Sequence, residues 1–186
     1  KRYQTMDHFD SLQPKHIEFI QKQKLYFIGT AGAEGRVNVS PKGLDSLRIK
    51  DANTVRWLNL TGSGNETAAH VLENQRMTIM FCSFDKQPLI LRLYGQAKMI
   101  STDATQWDDV MEDFNDHPGA RQVFELAVDL VQTSCGYAVP FYEFLGERET
   151  LDKWTAKKDR KGIAEYQQEK NRLSLDNKPT GLPPAK

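Results

Sequence analysis

The feature that most constrains the fold of this chain is a succession of short apolar segments separated by turns. Each segment is rich in β-branched, aromatic and aliphatic residues, and Gly, Pro, Asn or Asp residues lie near its ends. Most connections have the length of hairpins, which join antiparallel strands. We therefore predict a mainly β fold with accessory helices, built as a small six-stranded antiparallel barrel. The predicted strands are residues 25–31, 36–40, 54–60, 77–82, 89–100 and 121–131.

Helical spacing of apolar residues is confined to a few stretches. Residues 14–20 and 65–74 predict two short helices. A third, capped at Ser101 or Thr102 and ended by residues 117–119, is predicted from the helical spacing of Trp107, Val110, Met111 and Phe114. Beyond Gly146 the composition becomes charged and polar, and a narrow apolar stripe predicts one or two more helices. These helices have too few apolar residues to form a hydrophobic core of their own. We therefore predict a barrel domain over residues 1–145 and a C-terminal helical and extended segment, 146–186, that packs on it.

Composition and charge exclude several classes of protein. Lys and Arg number 25, Asp and Glu also number 25, and the net charge is zero, so no overall field favours nucleic acid or an anionic membrane. No apolar run approaches a membrane span, and the first residues lack the apolar core of a secretion signal. The two cysteines are too few for a disulfide framework. We expect a soluble, cytoplasmic protein with reduced thiols.

A glycine-rich turn, Gly62, Ser63, Gly64 and Asn65, leads from the third predicted strand into a helix. The first N–H groups of a helix are unpaired and lie at the positive end of its dipole, so such a turn can bind an anion. The glycines let a ligand approach the backbone, and Asn65 is a favoured N-cap. The turn matches no standard phosphate-binding motif. A plain connection is the competing interpretation, and a phosphate site would have to be completed from elsewhere.

Polar residues also collect on one face of the second predicted strand. Arg36, Asn38 and Ser40 alternate with two valines, and a period of two places the polar side chains together. Residues 41–43, with Pro and Gly, are expected to end this strand. The polar face can therefore converge on a ligand.

Three blocks of sequence occur in an informative order: Val-Asn-Val-Ser-Pro-Lys-Gly at 37–43, Gly-Ser-Gly-Asn-Glu-Thr-Ala-Ala-His at 62–70, and Leu-Arg-Leu-Tyr-Gly at 91–95. Together they resemble the pyridoxamine 5′-phosphate oxidase-like family of FMN-binding split barrels. Ser-Cys-Gly-Tyr-Ala-Val-Pro at 134–140 and Pro-Thr-Gly at 179–181 are similar, more narrowly, to a bacterial branch of that family. The resemblance implies a split barrel, FMN as cofactor, and an oxidoreductase acting on a small molecule.

The resemblance also implies which residues hold the cofactor. The strand ending at Lys42 contacts the phosphate or ribityl region, the end of the third strand presents backbone to the isoalloxazine ring, and the helix start lies at the phosphate. The family forms homodimers with the flavin between subunits, so Arg92 would reach the cofactor of the other chain. The implied residues are Asn38, Val39, Ser40, Lys42, Leu60, Thr61, Asn65, Glu66, Thr67 and Arg92.

The chain departs from the family at the helix start. The oxidases carry an Arg-Lys pair where this chain has Glu66 and Thr67. A carboxylate beside a phosphate is unfavourable unless it turns away or pairs, for which Arg92 and Arg36 are the candidates. The residues that recognise pyridoxamine phosphate have no match, so vitamin B6 oxidation is not predicted.

Three functions stay open at this point. The first is an FMN-dependent oxidoreductase in which no side chain need act as acid or base. The second is a binding protein for haem or the deazaflavin F420, or a flavin store or sensor, with His70 or His117 as the internal candidates for a haem ligand. The third is a dimeric interaction module without a cofactor. No metal site is predicted, and structural roles are favoured for Cys135 and Trp154.

Overall fold

The computed structural model describes residues 7–184 of the chain, which form one antiparallel sheet and four helices. The strands are β1 (Asp7–Phe9), β2 (Tyr26–Thr30), β3 (Asn38–Lys42), β4 (Leu47–Ile49), β5 (Thr54–Leu60), β6 (Arg76–Cys82), β7 (Ile90–Ser101) and β8 (Ala120–Ser134). The helices are α1 (Pro14–Lys22), α2 (Glu66–Asn74), α3 (Trp107–Met111) and α4 (Thr150–Lys170). No helix within residues 7–184 is long and apolar enough to cross a membrane.

The sheet curls around a single main core. Its order is β3-β2-β6-β7-β8-β5-β4, with β1 paired to β8 outside this path. Ile28 of β2 and Trp57 of β5 belong to the same buried cluster as Phe81, Leu93 and Phe124, although β2 and β5 are not neighbours in the sheet. Strands from both halves of the sheet therefore enclose one interior, and the predicted mainly antiparallel split barrel is confirmed.

The described residues form eight strands rather than the predicted six, because β1 and β4 were missed. Each has only three residues, which is too short to show an alternating pattern. The predicted end of β3 was also wrong, because Pro41 and Lys42 continue the strand and pair with Phe27 and Tyr26. Proline is tolerated there because β3 lies at the edge of the sheet, where a missing N–H does not interrupt a ladder.

The segment that follows the barrel ends in a hairpin, residues 171–181, which we call the C-terminal hairpin. An antiparallel bridge joins Leu173 to Pro179, and the Ser174 N–H donates to the carbonyl of Lys178 at 2.9 Å. Helix α4 precedes it and places Ile163 in a buried position, while Gln167 donates to the Thr61 hydroxyl at 2.7 Å. These contacts bring the hairpin to the glycine-rich turn.

Candidate functional site

A cleft of about 440 Å³ opens between β3, the end of β5, the glycine-rich turn and the start of α2. Its lining comes from segments far apart in sequence, and the C-terminal hairpin contributes one residue. The lining residues are Asn38, Ser40, Lys42, Asn59, Gly62, Ser63, Gly64, Asn65, Glu66, Thr67 and Leu175. The fold thus brings together six of the ten residues that the family resemblance implied: Asn38, Ser40, Lys42, Asn65, Glu66 and Thr67.

Lys42 is the cation on the β3 side of the cleft. Its Nζ lies 5.0 Å from the centroid of the Trp57 ring, and it forms no ion pair with a carboxylate among the described residues. Burial, and to a smaller extent the charge of Arg121, lower the pKa of Lys42 to about 8. An ammonium group that has lost part of its hydration without gaining a counter-charge is prepared to receive an anion.

Arg121, at the start of β8, is a second cation, and sequence reasoning missed it. The residue is only 3% exposed. Its Nη1 donates to the carbonyl of Gly64 at 3.0 Å and to the side-chain oxygen of Asn171 at 2.6 Å, whereas Nε has no partner in the described structure. Burial lowers its pKa to about 10. A buried guanidinium without a carboxylate partner therefore lies directly beneath the glycine-rich turn.

A buried amide cluster adjoins this turn. Asn59 donates to the side-chain oxygen of Gln122 at 3.0 Å and to that of Asn65 at 3.3 Å. The Nδ2 of Asn65 and the Nε2 of Gln122 are buried and have no acceptor among the described atoms. Because buried donors are normally satisfied, an unpaired amide on the cleft wall at Asn65 points to an acceptor supplied by a ligand.

The start of α2 adds backbone donors to the same wall. Asn65 is the N-cap as predicted, but its side chain forms no capping hydrogen bond. The N–H of Ala68 donates to the carbonyl of Asn65 at 3.2 Å, whereas those of Glu66 and Thr67 have no acceptor among the described residues. No atom lies within 4 Å of the position that a Cβ on Gly62 would take, so the turn is open to a ligand. Cations, amides and backbone donors together make this a site for an anion.

Glu66 is engaged by the C-terminal hairpin rather than facing an anion unpaired. Its carboxylate accepts the backbone N–H of Leu175, with distances of 2.9 and 3.1 Å to its two oxygens. The prediction that Glu66 pairs with Arg92 or Arg36 was wrong. Arg36 instead pairs with Asp176 of the hairpin. The acidic residue that replaces the family's basic pair therefore anchors a segment of this chain.

Four of the implied residues do not line the cleft of a single chain. Val39 is 64% exposed and alternates with the polar residues of β3, so its side chain lies on the opposite face. Leu60 ends β5 and Thr61 follows it beside the cleft. Thr61 is buried against the carbonyl of Gly119, to which its hydroxyl donates at 2.8 Å. Arg92 lies on β7 and donates to the Ser134 hydroxyl at 3.2 Å.

The histidines considered as haem ligands have partners within the chain. The Nδ1 of His70 lies 3.0 Å from the Thr30 hydroxyl in the interior. His117 accepts the backbone N–H of Gly119 at 2.9 Å, and its Nε2 lies 3.1 Å from Asp152. In the part of the chain that the structure describes, no three His, Cys, Asp or Glu side chains form a group that could hold a metal ion.

Trp154 does not face the cleft either. Its ring packs edge-on against Tyr166, on the other side of the kink that breaks α4 at Asp159, with 5.0 Å between the ring centroids. Cys135 lies just after β8 and is partly exposed as a free thiol. These contacts agree with the structural role favoured for Trp154 and give Cys135 no catalytic partner among the described residues.

Comparison with known proteins places this geometry in a family. The model of the pyridoxamine 5′-phosphate oxidase family matches residues 12–135. A curated relative, the pyridoxamine 5′-phosphate oxidase family protein ustO of Aspergillus flavus, is 34% identical over 189 residues, which cover 92% of this chain and 76% of the relative. Because this relative is fungal, it gives no support to the narrower bacterial branch, which stays a prediction.

Solved structures agree with the fold. A putative pyridoxamine 5′-phosphate oxidase from Lactobacillus delbrueckii has a TM-score of 0.55 at 18% identity, over 66% of this chain and 94% of that one. HupZ from Group A Streptococcus has a TM-score of 0.53 at 17% identity, over 71% of this chain and all of that one. The match to the family model covers both the strand ending at Lys42 and the glycine-rich turn. The chain therefore belongs to the pyridoxamine 5′-phosphate oxidase family.

Proposed function

We propose that this protein binds FMN in the cleft and is an FMN-dependent oxidoreductase acting on a small molecule. One observation carries the proposal: two cations, Lys42 and Arg121, are withdrawn from water beside the glycine-rich turn, and neither has a carboxylate partner among the described residues. A buried charge is unfavourable without a counter-charge, and a phosphate monoester would supply it. The phosphate of FMN has this chemistry.

The remaining residues of the cleft fit the other parts of FMN. Asn38 and Ser40 present a donor and an acceptor of hydrogen bonds on the same strand face as Lys42, which suits the hydroxyl groups of the ribityl chain. The unpaired Nδ2 of Asn65 and the first amides of α2 are donors for phosphate oxygens. The loss of the family's basic pair is offset because Arg121 approaches the turn from below.

The bound flavin would supply exchange of hydride or electrons, and the chain's residues would bind and orient it. Asn38, Ser40 and Lys42 would fix its position along β3. The described residues of the cleft include no histidine or cysteine that could act as an acid, base or nucleophile. We therefore assign the side chains binding and orientation, and no proton transfer.

We also propose a homodimer with FMN at the subunit interface. Val37 and Val39 lie at and beside the edge strand β3 and are 73% and 64% exposed, so two apolar side chains face outward next to the cleft. A second copy covering this edge would bury them and could bring its Arg92 towards the cofactor.

We propose a cytoplasmic location as well, because Cys82 and Cys135 are free thiols, as is usual in a reducing compartment.

The first test is the visible absorption spectrum of the purified protein before and after addition of FMN, with chromatography of any ligand released by heat. A flavin spectrum and released FMN would support the proposal. A Soret band would replace flavin with haem. A colourless protein that does not bind FMN would contradict the proposal and favour an interaction module without a cofactor.

A variant tests the role of Lys42. Lys42→Ala should lower the affinity for FMN about tenfold or more, because it removes a charge-assisted contact to the phosphate. Lys86→Ala is the matched control, since Lys86 is exposed and lies outside the cleft. Equal FMN affinity in the two variants would contradict the placement of the phosphate.

A further inference from the structure

The C-terminal hairpin lies beyond the part of the chain that the family model matches, which ends at residue 135. Its tip is fixed to the barrel at several points. The Leu175 N–H donates to Glu66, Asp176 pairs with Arg36, and Lys178 donates to Glu73 at 2.5 Å. The hairpin is therefore a built part of the fold.

The base of the hairpin is equally well fixed. Asn171 is fully buried and donates to the carbonyl of Gly62 at 3.0 Å while accepting from Arg121 at 2.6 Å. The hydroxyl of Thr180, also fully buried, donates to the backbone carbonyl of Asn171 at 2.6 Å. The same residues thus hold both the hairpin and the glycine-rich turn in place.

The tip of the hairpin lies at the anion-binding end of the cleft. Leu175 is bonded through its N–H to the first residue of α2, and it lines the cleft with the glycine-rich turn. Its side chain is 68% exposed, so it borders the open space without being packed into the core. A phosphate at the start of α2 would therefore have the hairpin tip as its neighbour.

We propose that the C-terminal hairpin makes the cleft selective for a flavin with a single terminal phosphate, excluding flavin dinucleotides. This inference rests on the proposed binding of FMN. Leu175 borders the cleft beside the start of α2, so a second phosphate and its nucleoside extending from there would meet its side chain. The hairpin tip is thus a specificity-determining element of this chain.

The charges at this end act in the same direction. The carboxylates of Glu66 and Asp176 lie at the hairpin tip, and Arg36 is already paired with Asp176. A second phosphate next to these carboxylates would meet like charge. The two unpaired cations, Lys42 and Arg121, match the charge of one phosphate monoester.

The experiment compares the dissociation constants of FMN, FAD and riboflavin for the full chain by fluorescence titration. We expect FMN to bind at least about tenfold more tightly than FAD. In Leu175→Ala combined with Glu66→Gln, the preference for FMN over FAD should fall by at least about fivefold, because space is opened and a charge removed. Glutamine keeps an acceptor for the Leu175 N–H. Leu173→Ala is the control, because Leu173 is exposed on the same hairpin but does not line the cleft.

The outcomes separate the two proposals. Tight binding of FAD to the unaltered protein, or an unchanged ratio in the double variant that still binds FMN, would overturn the hairpin's role and leave FMN binding standing. Failure of the unaltered protein to bind any of the three flavins would overturn the proposed function and this inference with it. If the double variant does not fold, Leu175→Ser alone, at a position that is two-thirds exposed, provides the same comparison.

Discussion

At the scale of single residues, Arg121 has two separable properties, its hydrogen bonds and its charge. Arg121→Gln keeps a side-chain amide that can donate to Gly64 or Asn171 but removes the buried cation. We expect the affinity for FMN to fall about tenfold or more, since hydrogen bonds to charged groups contribute about 1.5 to 3 kcal/mol. Riboflavin, which lacks the phosphate, should bind as before. Titration with both flavins measures the difference.

The control for this variant is Arg160→Gln, which removes an exposed arginine paired with Asp116. An equal loss for FMN and riboflavin in Arg121→Gln would show that the turn had been distorted. It would then contradict an electrostatic role for Arg121.

The lowered pKa of Lys42 gives a second prediction at this scale. In the folded protein without ligand the pKa is about 8, and its ordinary value is 10.5. Between these values the unfolded chain binds more protons, so this group makes the free energy of unfolding rise with pH. Ligand binding has the opposite dependence: as pH rises through 8, Lys42 loses its charge and FMN should bind more weakly.

Titrations from pH 7 to 9.5 check this prediction, with riboflavin as the reference for any effect on the ring. The fall in FMN affinity should be absent in Lys42→Ala. A fall of the same size in that variant would assign the pH dependence to another group.

The sequence predicted residues that a local pattern or the family resemblance identified. The alternation of β3 put Asn38 and Ser40 on one face with Arg36, the family resemblance added Lys42, and the glycines marked the turn. Arg121 was missed because it lies 57 residues from the Gly64 carbonyl that it contacts, and only the pairing of β5 with β8 brings the two together. Such a contact has no signature within a window of sequence.

At the scale of elements, the antiparallel pairing of β7 with β8 leaves no room for a side chain at Gly95. A Cβ on Gly95 would lie 1.9 Å from the carbonyl oxygen of Ala127, at a β-bulge between Tyr94 and Gly95. Gly95→Ala must push the two longest strands apart. We expect a loss of about 2 to 4 kcal/mol in the free energy of unfolding, measured by urea denaturation.

Gly62→Ala is the matched substitution, because nothing lies within 4 Å of its Cβ position. It should change the free energy of unfolding by about 0.5 kcal/mol or less. The added methyl group stands where the ligand approaches the turn, so FMN affinity should fall. Equal destabilisation by the two substitutions would contradict the close approach at Gly95.

Elements with strong patterns were predicted well, and short or long-range ones were not. Strand β5 was expected over the residues that it occupies, and α2 within one residue. Strands β1 and β4 exist because their partners, β8 and β5, extend far enough to pair with them. The C-terminal hairpin likewise depends on Glu66 and Arg36, more than 100 residues earlier in the chain. Where the local sequence pattern does not determine the secondary structure, tertiary contacts of this kind determine it.

At the scale of the whole molecule, the sheet ends at one side in β3, which carries the cleft on one face and exposed valine on the other. An edge strand with apolar side chains is a surface that a partner strand or face can cover. The proposed homodimer would place a second copy there. Binding of FMN and association of the two subunits would then be linked, because a ligand that contacts both subunits stabilises the dimer.

Val39→Asp tests this link, because it places a charge on the exposed face of β3 without changing the residues that face the cleft. Light scattering should give twice the chain mass of 21.3 kDa for the unaltered protein and the single chain mass for the variant. FMN affinity should fall in parallel, since Arg92 of the second copy would be lost. Leu173→Asp, a matched change at an exposed leucine of the hairpin, should leave the mass unchanged. A monomeric unaltered protein that binds FMN tightly would contradict the shared site.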